Sequence, residues 1–538
     1  MSGVLDVKSG HPPRNRMVAV SRRLHERAGI VVATLLATAG VWLAHAWGPG
    51  QDGFFDSAFY LDGARHLADG DGFVSAVTDA KSRELAPVIR WAPGFPVLTA
   101  LVGRALRLSA LDAASFVLAA AYVSLILAAF SLGRLLFGPR HVVLAAVCAV
   151  LVGIQSELLA ALDALLSDLP FGALAIINTA VAVTLARREA WSPIWVVAFA
   201  TTLCAMFFVR YAGALYIPGL LIATSITMLA RGRGLRVVLW NHLRVALLSA
   251  FAIGAWIARN KQFGEKPFGA RVVADGDWHL HADRALHGSL AWWYTLRDLA
   301  ATENLERYFM WGTFAVAAAF GLLLLTRNAR LWEGLCFTLL PSLAYWVLMV
   351  ESATRVKFDP IQHPRFWVPV WSLSFVAAAC CVAHVRRLWQ HLLAFIVIAG
   401  LLGIGLGEAV LLRRSLPGAQ QARGLLVARW RAAAEVLPSP GSCRLFVTDV
   451  RPLMLHRRLG PSSEIPLSLG ELNDAARFHE RICLAVLSPR LRVSTTAERR
   501  RVEQNKVIAA LKKAGRLKQL SGRSRVTVYQ LRSDSALP

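Results

Sequence analysis

The sequence predicts an α-helical polytopic membrane protein with about 11 spanning helices, a re-entrant segment and a small C-terminal α/β extracytoplasmic domain. Three observations predict it. The chain of 538 residues is 56% hydrophobic and only 17% charged, outside the range of an ordinary soluble domain. The apolar residues fall into blocks of roughly 17–25 residues, the length a helix needs to cross hydrocarbon, and lipid offers unpaired backbone groups no partner, so those blocks must be helical. Finally, the net charge of +25 is gathered in short joints between the blocks, which is a topological signal and argues against a nucleic-acid partner.

Taken in order, segment 1–27 carries Arg14, Arg16, Arg22, Arg23 and Arg27, which place it in the cytoplasm. The domain 28–412 follows, with spans near 28–47, 113–133, 141–157, 168–186, 193–209, 211–230, 238–258, 308–326, 331–350, 366–384 and 391–412. Arg134/Arg140, Arg187/Arg188, Arg231/Arg233/Arg236, Arg327/Arg330 and Arg386/Arg387 mark later cytoplasmic joints. All of them fit one alternating path if the shorter apolar run 94–106 dips into the membrane without crossing. On that path the first loop 48–93, the region around Glu157 to Asp168, the long loop 259–306 and the loop 351–364 share the outer face.

The segment 413–538 reaches the same face and has a different texture. Stretches 443–448, 482–487 and 525–530 read as short strands and 496–514 as a basic helix, a small α/β unit without a Gly-rich phosphate loop. Of seven cysteines, five sit in apolar blocks, while Cys443 and Cys483 lie in this unit and could pair in an oxidising compartment.

Ionisable groups at the outer face are the natural place to look for chemistry, because charge near hydrocarbon is costly. Positions 57–68 have helical spacing with an apolar stripe at Phe59, Tyr60, Leu61, Ala64 and Leu67, which suggests a helix lying at the interface. Asp56 would sit at its N-cap, a position that explains an Asp without catalysis. Asp168 stands beside Pro170 and can likewise be read as a helix-starting residue. Arg210, at the outer end of a helix, can snorkel to headgroups, and Lys357 and Arg365 can anchor the chain at the membrane surface. Asp275, Asp277, His279, His281, Asp283 and His287 form an acidic, His-rich cluster that a divalent cation could use, although a solvated loop is the plainer reading.

The order of motifs then becomes specific. An acidic residue after the first helix precedes Phe59-Tyr60-Leu61-x-x-Ala64-Arg65-x-Leu67-Ala68-x-Gly70-x-Gly72-Phe73. Next come Trp91-Ala92-Pro93-Gly94-Phe95-Pro96, Leu166-Ser167-Asp168-Leu169-Pro170, Arg210-Tyr211-Ala212-Gly213 and Asp359-Pro-Ile-Gln-His363-Pro-Arg365-Phe366. This series resembles the GT-C glycosyltransferases of the protein O-mannosyltransferase and aminoarabinose-transferase kind over essentially the whole chain. Two departures stand out: Asp56 is followed by Ser57 where the family often has an Asp-Glu pair, and Ala92-Pro93-Gly94 replaces Pro-Pro-Gly.

The resemblance implies a hexosyl- or pentosyltransferase taking its sugar from a polyprenyl phosphate at the outer face of the cytoplasmic membrane. The acceptor would be a lipid, a glycan or a protein, and the reaction would use either no cofactor or a divalent cation. Such a transfer needs a carboxylate that takes the acceptor proton late in the step, because an Asp of pKa about 3.9 is too weak a base to take it early. It also needs positive charge opposite the departing phosphate. Asp56 is the expected base and Asp168 a supporting carboxylate. Arg210 is the expected phosphate partner with Lys357, His363 and Arg365 behind it, and Tyr60, Arg65, Arg90, Trp91, Pro93, Tyr211 and Asp359 line the site. A transporter or flippase is the alternative class, but two related halves are not evident and the charges gather at one face.

Overall fold

The structure is a computed structural model that describes residues 29–40, 55–75, 85–153, 165–264, 276–289, 328–355, 364–384, 444–447, 462–464, 482–487, 495–514, 517–523 and 526–531, with positions 27, 155, 158, 161, 162 and 268. Its first part is a helical bundle built around α4 (Ala110–Phe137) and α6 (Asp168–Arg187). Both are long, apolar and mostly buried, so they form the inner layer. Around them stand α5 (Val142–Gly153), α7 (Pro193–Val209), α8 (Ile217–Ala230), α9 (Leu235–Phe263), α11 (Ala329–Arg355) and α12 (Val368–Ala383). Helix α9 keeps Leu239, Trp240, Leu243, Leu247 and Phe251 on the outside, as a helix facing lipid must.

Among the described residues, six helical segments are long and apolar enough to span a membrane, and α1 (Gly29–Gly40), α3 (Gly94–Leu106), Pro139–Gly153 and α7 are shorter apolar helices. Spacing and structure agree for 94–106 and 193–209, and the expected spans near 113–133, 238–258 and 331–350 extend by a turn or so at their ends. The expected spans 308–326 and 391–412 lie outside the described residues. At 211–230 and 366–384, the helices α8 and α12 begin only after short 3-10 turns, Tyr211–Leu215 and Pro364–Trp367. Pro218 and Pro369 stand in the first turns of the two helices, where a missing N–H costs nothing.

Two departures concern α2 (Phe55–Asp69). Asp56 lies inside its first turn and is not its N-cap, a position where a carboxylate still favours the helix dipole. Nor does the helix simply lie at the interface. Residues 57–64 are buried on every side against α3 and α4, because Ser57, Ala58, Gly63 and Ala64 are small enough to let neighbours close in. A two-stranded pair, β1 (Val74–Ser75) with β2 (Ala86–Pro87), then leads through Trp91 into α3.

The C-terminal unit is a five-stranded mixed sheet of order β4-β3-β5-β7-β6, formed by β3 (Arg444–Val447), β4 (Ser462–Glu464), β5 (Ile482–Leu487), β6 (Leu517–Arg523) and β7 (Val526–Leu531). With α13 (Thr495–Lys513) it has the three expected strands and the basic helix, and adds β4 and β6. Cys483 is disulfide-bonded, whereas Cys148, Cys204, Cys336, Cys380 and Cys381 are free. Cys443, the residue before β3 in sequence, lies outside the described residues.

Candidate functional site

Helix ends build the site. Asp168 is the first residue of α6 and 2% exposed, and its N-cap Ser167 makes no side-chain cap of its own. Arg210 follows the last residue of α7 in extended conformation, so its side chain leaves the helix axis and turns inward. The turn that follows demands Gly213, where a Cβ would stand 2.6 Å from the Met206 carbonyl oxygen. At Gly94 a Cβ would stand 2.7 Å from the Phe208 carbonyl oxygen, so the start of α3 packs directly on the end of α7. The glycines of two quoted motifs thus bring their neighbours, Pro93 and Arg210, to one place.

There Arg210 Nη1 approaches Asp168 Oδ1 to 2.5 Å, with both side chains largely buried. Asp168 Oδ2 is buried with no hydrogen-bond partner among the described residues. Tyr60 of α2 adds its hydroxyl 3.2 Å from Ser167 Oγ. Burial pushes the Tyr60 phenol well above its ordinary value, and Asp56 adds to the rise, while Arg210 opposes it. Arg210 in turn feels Asp168, Tyr345, Tyr60 and Asp56. Asp56, Tyr60, Asp168 and Arg210, drawn from three separate sequence segments, therefore share one electrostatic environment.

Arg365 joins from the turn before α12. It is 6% exposed in the turn Pro364–Trp367, and its guanidinium carbon lies 4.9 Å from the Phe366 ring centroid. The Arg210 guanidinium carbon is also 4.9 Å from that ring, so one aromatic side chain carries two cations. Tyr345 of α11, which sequence reasoning missed, donates its hydroxyl to the Phe366 carbonyl at 3.0 Å and fixes this turn. It stands in an apolar helix full of aromatic residues, where nothing in the pattern distinguishes it.

The rim comes from the first loop. Trp91 stacks on Phe59 with centroids 3.9 Å apart, Arg90 lies 5.2 Å from the Trp91 ring, and Phe95 meets Tyr60 edge-on at 5.5 Å. Pro93 is buried at the N-cap position of α3. Tyr211 points its hydroxyl at the Ile89 and Trp91 carbonyls, 3.3 and 3.2 Å away. Arg65 belongs to a different set: burial pulls it below its ordinary value, and Asp62 and Asp69 oppose that shift. Lys357, Asp359 and His363 lie outside the described residues. His279, His281 and Asp283 fall on α10 (Trp278–Ser289), and among the described residues no three potential ligands are placed to hold a metal ion.

The chain is a multi-pass helical bundle whose helix ends converge on a buried carboxylate and guanidinium, and its fold is shared with solved polytopic membrane proteins. The particular resemblance is to ArnT from Cupriavidus metallidurans. The crystal structure of that protein bound to undecaprenyl phosphate matches with a TM-score of 0.53 at 14% identity, covering 95% of this chain and 99% of that one. Its apo structure matches with the same TM-score at 15% identity. The archaeal oligosaccharyltransferase AglB from Archaeoglobus fulgidus, in complex with an inhibitory peptide and a dolichol-phosphate, has a TM-score of 0.47 at 11% identity, over 85% of this chain and 69% of that one. No protein-family model and no curated protein matches the chain.

Proposed function

We propose that the protein is a glycosyltransferase that moves a sugar from a polyprenyl-phosphate carrier to an acceptor at the outer face of the cytoplasmic membrane. The observation that carries this reading is the Asp168–Arg210 pair, whose Asp168 Oδ2 has no hydrogen-bond partner among the described residues, with Asp56 in the same electrostatic environment and the Arg365 guanidinium sharing the Phe366 ring with Arg210. The undecaprenyl phosphate bound by ArnT supports the choice of carrier class.

In the proposed step, the acceptor hydroxyl hydrogen-bonds to the Asp56 carboxylate and its oxygen attacks the anomeric carbon. The bond from that carbon to the phosphate oxygen breaks, and the electron pair leaves with the polyprenyl phosphate. The acceptor proton passes to Asp56 late in the step and then to water. Arg210 and Arg365 face the leaving phosphate, with Lys357 and His363 as further donors, and being fixed in place they need no reorganisation as charge develops. Asp168 holds Arg210 in position and offers Oδ2 to a sugar or acceptor hydroxyl, or to a divalent cation. The disulfide at Cys483 supports an oxidising, outer-face location for the C-terminal unit, and the basic segment 1–27 supports a cytoplasmic N-terminus.

The test is transfer from a panel of radiolabelled polyprenyl-phosphate hexoses and pentoses by purified protein, with and without chelator, comparing the wild type with Asp56→Asn at matched monodispersity. Transfer that vanishes in the variant supports the reading. Equal transfer by both removes Asp56 from the mechanism. Absence of both transfer and donor binding favours a transporter of another substrate or a non-enzymatic scaffold.

A further inference from the structure

Two side chains from the middle of the sequence grip the backbone of the first loop. Arg259, near the end of α9, donates from Nη1 to the Val88 carbonyl at 3.1 Å and from Nη2 to the Phe73 carbonyl at 3.4 Å. These two carbonyls flank the β1–β2 pair, which Val88 N closes by donating to the Phe73 oxygen at 3.0 Å. The fork is itself held. Its carbon lies 4.8 Å from the Trp256 ring and 4.9 Å from the Phe263 ring, one turn before and one turn after it on the helix. The Asn260 side-chain oxygen accepts from Nη1 at 2.9 Å.

Tyr211 completes the grip from the α7–α8 turn. Its hydroxyl accepts from Trp256 Nε1 at 2.9 Å and from Asn260 Nδ2 at 3.4 Å, which directs its own hydrogen toward the Ile89 and Trp91 carbonyls. The carbonyls of residues 73, 88, 89 and 91 are therefore all met by side chains of one connected cluster: Tyr211, Trp256, Arg259 and Asn260. The planar guanidinium addresses the two carbonyls of the strand pair from two nitrogens in one fixed fork.

We infer that Arg259 and Tyr211 are positioning residues that fix the Arg90–Trp91 rim over the Asp168–Arg210 pair, and so set substrate binding separately from the chemical step. Their targets carry the rim, where Trp91 stacks on Phe59 and Arg90 is exposed. Asp56 and Asp168 stand on α2 and α6, which the cluster does not touch through any of these bonds, and Arg210 meets the cluster only through the backbone it shares with Tyr211, so Arg259 is the variant further from the reacting groups. This inference rests on the glycosyltransferase reading for its kinetic part and on geometry alone for its structural part, and the experiment separates the two.

Full-length protein in detergent is compared as wild type, Arg259→Gln, Arg259→Lys and Tyr211→Phe, by hydrogen exchange of the segment 85–92 and by transfer from a radiolabelled polyprenyl-phosphate sugar. Exchange in 85–92 is expected to rise about tenfold in Arg259→Gln and less in Tyr211→Phe, with α6 unchanged. KM is expected to rise by roughly 5–20-fold while kcat stays within about threefold, and Arg259→Lys should recover little of the loss. Unchanged exchange in both Arg259→Gln and Tyr211→Phe overturns the clamp. Faster exchange with unaltered KM, or a fall in kcat alone, overturns the positioning role. If Arg259→Gln loosens the whole bundle, Tyr211→Phe, which keeps the ring, decides the matter. A wild type inactive on every donor counts against the transferase reading, and the exchange result still decides the clamp.

Discussion

The carboxylate that opens α6, Asp168, and the guanidinium that follows α7, Arg210, meet at 2.5 Å inside the bundle. Burying both charges is tolerable only because each neutralises the other, and removing one leaves the other stranded at a cost of about 3–5 kcal/mol. Asp168→Asn is therefore expected to lower thermal stability in detergent markedly. Combining it with Arg210→Gln should restore much of that stability while transfer stays lost. Recovery of transfer in the double variant would show that the pair is only structural.

Tyr60 gives a pH prediction. Its phenol is buried beside Asp56, and both burial and that charge keep it neutral beyond its ordinary value of 10.0. The folded value is the raised one, so the stability contributed by the neutral phenol is complete below pH 10 and is lost as the pH climbs past it. Transfer should accordingly show no limb from Tyr60 between pH 6 and pH 10. Tyr60→Phe should leave the shape of that profile unchanged and cost about 1 kcal/mol through the lost contact with Ser167. An alkaline limb below pH 10 that disappears in Tyr60→Phe would contradict the assignment.

Phe366 carries two guanidinium groups, those of Arg210 and Arg365, each 4.9 Å from its ring. On the proposed function, the leaving phosphate is received beside this pair of cations. Arg365→Gln is expected to weaken polyprenyl-phosphate binding by about tenfold or more, the worth of one charge-assisted hydrogen bond. Titration calorimetry with the carrier phosphate, in the absence of a sugar, measures this directly. Unchanged affinity would leave Arg365 as a wall residue.

How much of this was legible follows from where each signal resides. Helices α3 and α7 were readable to the residue because Pro93-Gly94 and Ser192-Pro193 start them and Arg107 and Arg210 end them, all local chemistry. The pairing of Asp168 with Arg210 was not readable, since both residues make sense locally as a helix start and a snorkelling end. Only the packing of α6 on α7 brings them together. The spacing puts Asp56 at the N-cap because the helical pattern of its neighbours starts at Ser57, yet the helix runs two residues further back, to Phe55. Arg259 stood unnoticed at the end of an apolar span, since a cation there satisfies the topology rule before any other role is considered.

Away from the site, Glu333 of α11 is held between Arg187 of α6 at 2.7 Å and Arg231 beyond α8 at 2.9 Å. Arg187 also donates to the Leu135 carbonyl near the end of α4, which satisfies one of the acceptors a helix end leaves open. The carboxylate thus ties α11 to α6 and to the end of α8, and Arg187 adds α4. Glu333→Gln should lower stability by about 1–3 kcal/mol, less than a fully buried pair because both arginines are partly exposed. Activity per folded molecule should remain within about twofold, because no residue of this cluster bears on Asp168. A melting curve together with transfer normalised to monodisperse protein tests this.

The last prediction concerns compartment. Cys483 sits in β5, whose parallel neighbour β3 pairs Leu445 with it in register, and it is disulfide-bonded in a unit that otherwise has a small core. Such a bond persists in an oxidising space and not among cytoplasmic thiols. Cys483→Ser is expected to destabilise the C-terminal unit by about 2–4 kcal/mol and to make it the first part of the chain cut by protease. In intact cells a membrane-impermeant maleimide should label a variant lacking Cys148, Cys204, Cys336, Cys380 and Cys381 only after reduction. Labelling without reduction would mean the bond is absent in the cell. Labelling that requires permeabilised cells would put the unit on the cytoplasmic side, and the alternating path through the bundle would then have to gain or lose one crossing, with α3, too short to span upright at about 20 Å, the segment to re-examine.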